Sequence, residues 1–555
     1  MRGAAAWKRA LAPMGALACL CAAAEGGGTT IITHGWNPDG VAPAWMGSMR
    51  EAMAEKYAGG ETNYATIRVT KSGGALEAAC DPWAMGATGE VLALLDWTAA
   101  ANHLTGGPTV QEVAAAAAAA VADGGGGHRA LAELPVHLIG HSRGGALVCE
   151  LARELGERGI VVDQVTMLDP HPLTLADPQP PGAATIDAAP AIYGNVVFAD
   201  AYSQTNTYPK GRWVAGAYNR SWNGLAGGYN GAGGGPGDHP NVHLLYQGTI
   251  DLGNPVRNGE AEMGAAEREA WFNAYEAAGT NAGHAYSRMA GRLDRTATNR
   301  PVAGGEAVRS GLHASGAFGG AGARAELARA GEQWPNVGLL EIRRSGAALG
   351  KGTHAVSNGE ALEIRMASMD RDGGYAVELR LDADRCPYNG NDLGTLSTQV
   401  FAEGTGDEFR ETLVDWDAAT AGDSSAVYLY AKASDGTRTR YAYAAEALTW
   451  FQETGGWDDG YVNLGGGWRR LGWLGDYAPT GDWVWHNKHG FWYPAPGGEP
   501  TGAWFYSQDM GWLYTGKGLY PFTYRARDGA WIWYSGSTNP RWFMNFAGGQ
   551  WESWP

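Results

Sequence analysis

The sequence predicts three folded parts: a mostly parallel α/β domain, a β-sandwich and an aromatic-rich β-repeat tail. Between residue 29 and about residue 292, short apolar β runs alternate with helical stretches, as in a parallel sheet with flanking helices. From about residue 334 to 450, apolar residues recur with period two between Gly, Asp and Asn turns, which indicates a sandwich. Fourteen of the 24 tryptophans fall at or after Trp450.

In the α/β part, each element follows from its local pattern. Apolar β runs predict strands over 29–33, 64–69, 136–139, 161–168 and 195–199, and helical periodicity predicts helices over 43–57, 110–122 and 145–158. Residues 91–96 fit a strand or a helix equally well. In the sandwich, alternation predicts strands over 361–366, 375–381 and 426–431. The domains expected are 1–24, 25–292, 293–333, 334–450 and 451–555, of which 293–333 is a Gly/Ala-rich linker.

The first 24 residues predict an export signal. Arg2, Lys8 and Arg9 precede an apolar run over 11–24 that is too short to span a bilayer, and three alanines offer a cleavage site. We therefore expect a secreted or cell-surface protein. A net charge of −17 without a run of Lys or Arg predicts no nucleic-acid partner.

Cysteine usage predicts neither disulfides nor a metal site. Signal cleavage would leave Cys80, Cys149 and Cys386, an odd and widely spaced set. The segment 382–391 carries oxygen side chains at alternate positions, as in a calcium loop, but lacks the closing glutamate. We interpret it as a plain turn, and we expect no cofactor and no metal.

Residues 135–145 contain a candidate catalytic motif. An apolar strand ends at Gly140-His141-Ser142-Arg143-Gly144 and runs directly into a helical pattern. A strand-to-helix turn of this kind exposes the serine hydroxyl, and its crowded backbone needs flanking glycines such as Gly140 and Gly144. The sequence therefore predicts that Ser142 is a nucleophile.

A nucleophilic serine needs donors for the oxyanion. The strand over 29–33 ends at His34-Gly35-Trp36, which predicts a loop beside the serine. We expect the backbone N–H groups of Trp36 and Arg143 to be the donors. The imidazole of His34 is interpreted as a brace for the loop.

The serine also needs a base, and the base needs an acid. Asp169 follows the strand over 161–168 and is the predicted acid, with Asp200, placed after the strand over 195–199, in reserve. His239, which follows a glycine-rich stretch over 224–237 and is expected to sit on a loop at the edge of the sheet, is the predicted base. His243 is the reserve base, and its apolar neighbours favour a packing role. His171 is expected to form a wall of the site.

These motifs resemble those of the α/β-hydrolase superfamily, in its serine lipase/esterase-like branch. The matching segments are Thr33-His34-Gly35-Trp36, Gly140-His141-Ser142-Arg143-Gly144 and Leu168-Asp169-Pro170, and the resemblance covers about residues 29–290. It implies an α/β-hydrolase fold and an exported hydrolase that cleaves carboxylic esters through an acyl-serine intermediate. Lipids are one candidate class of substrate. Two features depart from the family: its first two strands and a long apolar lid are not evident.

The tail loosely resembles the Trp/Tyr/Gly repeats of bacterial cell-wall- and choline-binding modules. Units of a glycine, an aromatic pair and a turn recur, as in Gly502-Ala-Trp-Phe-Tyr506 and Gly529-Ala-Trp-Ile-Trp-Tyr534. Exposed rings could contact cell-wall material or glycans through residues 451–555, or the rings could form the tail's own core. The alternative to an enzyme is a surface-associated glycan- or cell-wall-binding protein with a vestigial hydrolase domain.

Overall fold

The computed structural model describes most of the chain from residue 27 onwards. The described residues are 27–57, 63–81, 83, 89–101, 107–124, 128–173, 186–233, 237–251, 256–275, 283–290, 327–406, 408–418, 426–452 and 454–555. The predicted export signal and all of the predicted linker before residue 327 lie outside them. Within these ranges, no helix has both the length and the apolar character needed to cross a membrane.

An eight-stranded mixed sheet forms the N-terminal part. Its strands are β1 (Thr29–Thr33), β2 (Asn63–Ser72), β3 (Ala75–Cys80), β4 (Val91–Asp96), β5 (Val136–His141), β6 (Val162–Leu168), β7 (Val196–Ser203) and β8 (Tyr218–Ser221). Their order is β3-β2-β4-β1-β5-β6-β7-β8, and every neighbouring pair is parallel except β2 with β3. The segment that fitted either a strand or a helix is strand β4.

Helices cover both faces of this sheet. They are α1 (Ala44–Tyr57), α2 (Thr98–Ala101), α3 (Val110–Ala122), α4 (Arg143–Glu157), α5 (Asp238–Gly248) and α6 (Ala265–Tyr275). Helices α3 and α4 share a core with Ile31 and Leu138, whereas α1, α5 and α6 share another with Ile32 and Ile139. Adjacent strand residues serve opposite cores because successive side chains point to opposite faces. A two-stranded pair, β9 (Val256–Arg257) with β10 (Glu262–Met263), lies between α5 and α6 along the chain.

Nine strands form two further sheets around one core. They are β11 (Asn336–Arg344), β12 (Ala347–Ala348), β13 (Gly352–Val356), β14 (Glu360–Met369), β15 (Tyr375–Asp382), β16 (Asp392–Phe401), β17 (Arg410–Ala418), β18 (Val427–Ser434) and β19 (Thr439–Trp450). The sheet orders are β12-β11-β14-β17 and β13-β19-β18-β15-β16. Alternate residues of β14 and β15, such as Ile364 and Leu379, fill the core between them. The region from 334 to 450 is therefore β-rich and sandwich-like.

Three cysteines, and the acidic turn over residues 382–391, lie in described parts of the chain. Cys80, Cys149 and Cys386 are free thiols. In the acidic turn, Asp384 Oδ1 accepts the backbone N–H of Cys386 at 2.8 Å, and its Oδ2 accepts the side-chain amides of Asn389 and Asn391, each at 2.7 Å. These bonds occupy the carboxylate within the turn, and among the described residues no cluster of His, Cys, Asp and Glu could hold a metal ion.

The tail is an antiparallel meander of eleven strands. They are β20 (Val462–Gly465), β21 (Trp468–Leu471), β22 (Gly475–Thr480), β23 (Trp483–His486), β24 (Gly490–Pro494), β25 (Ala503–Ser507), β26 (Gly511–Thr515), β27 (Phe522–Arg525), β28 (Ala530–Tyr534), β29 (Arg541–Asn545) and β30 (Gln550–Trp554). Each strand pairs with the next. The sheet curls, as contacts between distant strands show. The ring of His489, just before β24, lies 4.4 Å from that of Tyr534 in β28, and its carbonyl accepts Arg541 Nη1 of β29 at 3.0 Å.

The sandwich packs directly against the α/β part. Trp334 and Tyr441 belong to the same core cluster as helices α3 and α4. The guanidinium of Arg440 is buried in the interface, where it donates to the carbonyl of Val161 at 3.0 Å and to Asn336 Oδ1 at 2.8 Å. Buried contacts of this kind join the two parts into a continuous packed unit.

Candidate active site

Ser142 sits on a strained turn between β5 and α4. Its φ of 60° and ψ of −125° are unusual for a residue other than glycine. The turn is held on both sides, because Ser142 N–H donates to the carbonyl of Leu168 at 2.9 Å and the carbonyl of Ser142 accepts the N–H of His171 at 3.0 Å. A Cβ on Gly140 would lie 2.1 Å from the carbonyl oxygen of Gly144. The crowded backbone therefore requires glycine beside the serine.

The loop after β1 passes directly over this turn. A Cβ on Gly35 would lie 2.6 Å from Ser142 Cβ and 2.9 Å from the backbone nitrogen of Arg143. This approach brings the backbone around Trp36 next to the first turn of α4. Helix N-termini carry unpaired N–H groups that favour negative charge. The two predicted oxyanion donors therefore belong to adjoining backbone segments.

The imidazole of His34 is buried beneath the loop. Its Nδ1–H donates to the carbonyl of Gly35 at 2.8 Å, its Nε2 lies 3.3 Å from Thr98 Oγ1, and its ring stacks on Trp97 at 5.5 Å. Hydrogen bonding from His34 also lowers the pKa of Asp96 below its ordinary value. All of these contacts hold the loop, and none reaches Asp169.

The predicted base and acid are hydrogen-bonded to each other. His239 Nδ1 donates to Asp169 Oδ2 at 2.5 Å. Asp169 lies just after β6 with a positive φ of 47°, and its carboxylate is fully buried. His239 lies in the first turn of α5. The expectation that the base sits on a loop is therefore wrong, because α5 begins at Asp238 and holds the ring against the end of the sheet.

The ring of His239 borders the serine turn on two sides. His141, the residue before Ser142, contacts it with ring centroids 4.6 Å apart, and His141 Nε2 donates to the carbonyl of His239 at 3.1 Å. His171, whose N–H binds the carbonyl of Ser142, has its ring 6.3 Å from that of His239. Within the described residues, neither Ser142 Oγ nor His239 Nε2 has a hydrogen-bond partner. Both atoms are therefore unpaired within this part of the chain; in free enzymes, catalytic hydrogen bonds are often unformed.

Burial controls the protonation of His141, His239 and Asp169. It lowers the pKa of His141 to about 3, lowers that of His239, and raises that of Asp169 above the ordinary carboxyl value. The nearby His171 ring lowers the pKa of His239 further. At neutral pH the imidazole of His239 is therefore uncharged, which is the form that can accept a proton.

Gln204, which no sequence motif marks, holds Asp169 in place. Its backbone N–H donates to Asp169 Oδ1 at 2.7 Å, and its side-chain amide donates to Asp169 Oδ2 at 3.0 Å. The same amide donates to the carbonyls of Thr207 and Pro209, which fixes the loop after β7. On that loop the carbonyl of Lys210 accepts His171 Nδ1–H at 2.7 Å. His171 therefore lies beside the base and makes its own bonds to the loop.

Arg143 is anchored by a second residue without a sequence signal, Asp187. Its buried guanidinium forms an ion pair with Asp187, with Nε to Oδ2 at 2.7 Å and Nη2 to Oδ1 at 2.8 Å. Asp187 also accepts the backbone N–H groups of Val110 and Leu173 at 3.0 and 2.9 Å. The pair therefore ties the start of α4 to α3 and to the segment after β6.

The two reserve residues do not take part in the hydrogen bond between His239 and Asp169. His243 is buried and stacks on Trp45 at 4.4 Å, so it packs between helices. Asp200 lies inside β7 and not after it, because the strand continues to Ser203. Its carboxylate accepts Thr166 Oγ1 at 2.6 Å and Tyr202 OH at 2.9 Å. The placement of Asp200 beyond a strand end is therefore wrong.

Comparisons with known proteins identify no family for this chain. No family model and no curated protein matches it. Structural comparison finds the CARDB domain of a Pyrococcus furiosus protein in complex with di-metal ions, at 10% identity and a TM-score of 0.13, covering 20% of this chain and 89% of that one. It also finds a β-glucosidase from Listeria innocua in complex with isofagomine, at 8% identity and a TM-score of 0.15, covering 76% of this chain and 46% of that one. This chain spans less than half of the β-glucosidase, and likenesses this weak carry no functional conclusion.

Proposed function

We propose that the protein is an exported serine hydrolase with an α/β-hydrolase fold, related to the lipase/esterase branch, that cleaves carboxylic esters. The observation that carries this proposal is the 2.5 Å hydrogen bond between His239 and Asp169 beside a serine on a strained strand-to-helix turn. A neutral imidazole oriented by a buried carboxylate is the arrangement that activates a serine. The order of the three residues along the chain, Ser142, Asp169 and His239, also matches this fold.

In the proposed reaction, Ser142 Oγ attacks the acyl carbonyl carbon and its proton passes to His239 Nε2. Asp169 accepts the Nδ1–H of the imidazolium that forms, and the backbone N–H groups of Trp36 and Arg143 donate to the oxyanion. The alcohol leaves with the proton from His239. A water molecule, deprotonated by the same nitrogen, then attacks the acyl-serine, and His239 returns that proton to Ser142 Oγ as the acid leaves. Apart from the ester and the water molecule, every group that these steps use belongs to the chain.

Apolar side chains around the site favour an apolar acyl group, as in lipid esters. The segments after β1, β6 and β7 meet at one edge of the sheet, because these strands are parallel. Those segments expose five large hydrophobic side chains: Trp36, Val41, Ile186, Tyr208 and Trp213. Exposed apolar groups gathered at one edge typically mark a binding surface.

The test compares the parent with Ser142→Ala and with Ser48→Ala. Ser48 lies on α1 and is half-buried like Ser142, so it is a matched control. We expect Ser142→Ala to fold, to lose fluorophosphonate labelling and to lose at least about a thousandfold in turnover of p-nitrophenyl butyrate. Ser48→Ala should keep both activities. Parental turnover in the Ser142 variant would contradict the proposal.

The second candidate is a surface-associated glycan- or cell-wall-binding protein with a vestigial hydrolase domain. The absence of a hydrogen bond between Ser142 Oγ and any described residue favours it, as do the exposed rings of the tail. Fluorophosphonate separates the two candidates, because it labels only an activated serine. Labelling of the parent at Ser142 supports the hydrolase, and a parent that stays unlabelled supports the vestigial domain.

A further inference from the structure

The tail presents one face made almost wholly of aromatic rings. In the seven strands β23 to β29, two side chains per strand point away from the tail's core. We call these fourteen residues the outer face: Trp483, Trp485, Phe491, Tyr493, Trp504, Tyr506, Trp512, Tyr514, Phe522, Tyr524, Trp531, Trp533, Trp542 and Met544. Thirteen of them are aromatic, none is charged and none is buried. The alternate residues, such as Phe505 and Ile532, are buried and form the core.

The rings of the outer face continue from strand to strand. Tyr514 lies opposite Trp504 on one neighbouring strand and Tyr524 on the other, and Tyr524 lies opposite Trp531. Ring centroids are 5.4 Å apart for Trp504 and Tyr514, and 5.6 Å apart for Tyr524 and Trp531. Strands in a sheet are about 4.8 Å apart, so seven of them extend the face over roughly 30 Å. A surface that repeats at this spacing fits a partner that also repeats.

The outer face also carries polar donors without partners. Among the described residues, no hydrogen bond involves the hydroxyls of Tyr493, Tyr506, Tyr514 or Tyr524, or the indole N–H of any outer-face tryptophan. Buried tyrosines of the same sheet do have partners, since Tyr534 OH donates to the carbonyl of Ser537 at 2.7 Å. The exposed donors sit beside the flat ring faces. The surface is therefore apolar and hydrogen-bonding at once.

Within strands β23 to β29, the two charged side chains, Arg525 and Arg541, are buried and point away from the outer face. Arg525 points inward and pairs with Asp528 and with Glu552, the latter at 2.6 Å. The whole chain carries a net charge of −17, which opposes an anionic partner. A membrane surface would call for basic residues around an aliphatic face, whereas the outer face has one methionine and no other aliphatic side chain.

We propose that the outer face binds a neutral polysaccharide chain. Sugar rings offer C–H faces that stack on aromatic rings, and their hydroxyls can pair with the free phenol and indole groups. A polymer of such rings matches a face that repeats across seven strands. This binding surface is independent of the ester hydrolysis proposed for Ser142.

The test uses the full-length protein and a panel of neutral polysaccharides: cellulose, chitin, xylan and starch. We expect the parent to bind at least one of them. The double variant Trp512→Ala/Trp531→Ala should weaken that binding about tenfold or more, since each aromatic contact contributes about a factor of two to ten. Phe451→Ala is the matched control, because Phe451 is 43% exposed, like Trp531 at 41%, but lies outside the outer face. The double variant Trp512→Tyr/Trp531→Tyr should keep most of the binding.

Three results would overturn the proposal. They are failure of the parent to bind any polysaccharide of the panel, an equal loss of binding in Phe451→Ala, and use of the outer face for self-association or for phosphatidylcholine vesicles instead. A second readout needs no variant: soluble oligosaccharide of the bound type should change the parent's tryptophan fluorescence, and an unchanged spectrum counts against binding on these rings.

Discussion

Replacing Gln204 with leucine should slow the proposed ester hydrolysis more than its effect on folding accounts for. The side-chain amide donates to Asp169 Oδ2 at 3.0 Å, on the same oxygen that accepts His239 Nδ1–H. A hydrogen bond to a charged group contributes about 1.5–3 kcal/mol. If the transition state depends on the carboxylate being held in place, this corresponds to a loss of about 10- to 100-fold in kcat/KM. The backbone N–H of Gln204 stays bonded to Oδ1, so some orientation should survive.

The pH profile gives the substitution a second readout. The Gln204 side-chain bond lowers the pKa of Asp169, so its loss should raise that pKa further above the ordinary carboxyl value. The Asp169–His239 pair should then take up its first proton at higher pH, so the acidic limb of the kcat/KM profile should move to higher pH. The assay is hydrolysis of p-nitrophenyl butyrate between pH 4 and 9, with folding followed by urea unfolding.

Gln164→Leu is the matched control. Gln164 is also fully buried and also donates its amide to a buried carboxylate, Asp200, at 3.1 Å. It should lose stability comparably but keep the rate and the pH profile of the parent. The reasoning fails if both variants lose activity alike, or if folded Gln204→Leu retains the parental profile.

Three further outcomes are expected. His243→Phe should keep ester turnover. Between pH 7 and pH 5 its free energy of unfolding should fall by about 2 kcal/mol less than that of the parent. Burial holds the folded-state pKa of His243 well below its usual 6.5, so the unfolded parent gains a proton on acidification that the folded parent does not. An equal fall in the free energy of unfolding between the two pH values, in parent and variant, would disprove this. Asp187→Asn should destabilise the fold by about 3–5 kcal/mol, because it leaves a buried guanidinium without its carboxylate; an unchanged midpoint in urea would show that the pair contributes nothing. Gly35→Ala should lower ester turnover by about 100-fold, because its new Cβ would meet Ser142 Cβ at 2.6 Å. Gly47→Ala, with no atom within 4 Å of its Cβ, should be silent, and equal activity in the two variants would rule out the close approach.

Local patterns in the sequence predicted the segment around Ser142 well. A buried strand, a crowded turn and a helix each depend on residues within a few positions, such as Gly140 and Gly144, whose missing Cβ atoms leave room for neighbouring carbonyls. The same local logic placed Asp169 at the end of β6. Strand β4 could not be told from a helix, because a short apolar run has no period of its own.

Local patterns were misleading where distant contacts decide. The charged Asp200 interrupts an apolar run, which predicts that the strand ends before it, yet hydrogen bonds from Thr166 and Tyr202 let the carboxylate stay inside β7. Helix α5 was missed because its apolar residues share no single face, and packing from several sides holds it. Gln204 and Asp187 carry no sequence signal, since their partners Asp169 and Arg143 lie 35 and 44 positions away.

In the tail, the sequence and the tertiary structure determine different properties. Strict alternation along β23 to β29 assigns its aromatic residues to two opposite faces, and this follows from the sequence because strand side chains point to alternate sides. Which face is dry is a tertiary property. The sheet curls so that His489 reaches Tyr534 and Arg541, which closes one set of rings into a core and leaves the other in water. Alternation is a property of neighbouring residues, whereas the direction of curl depends on contacts between strands that are far apart in the chain.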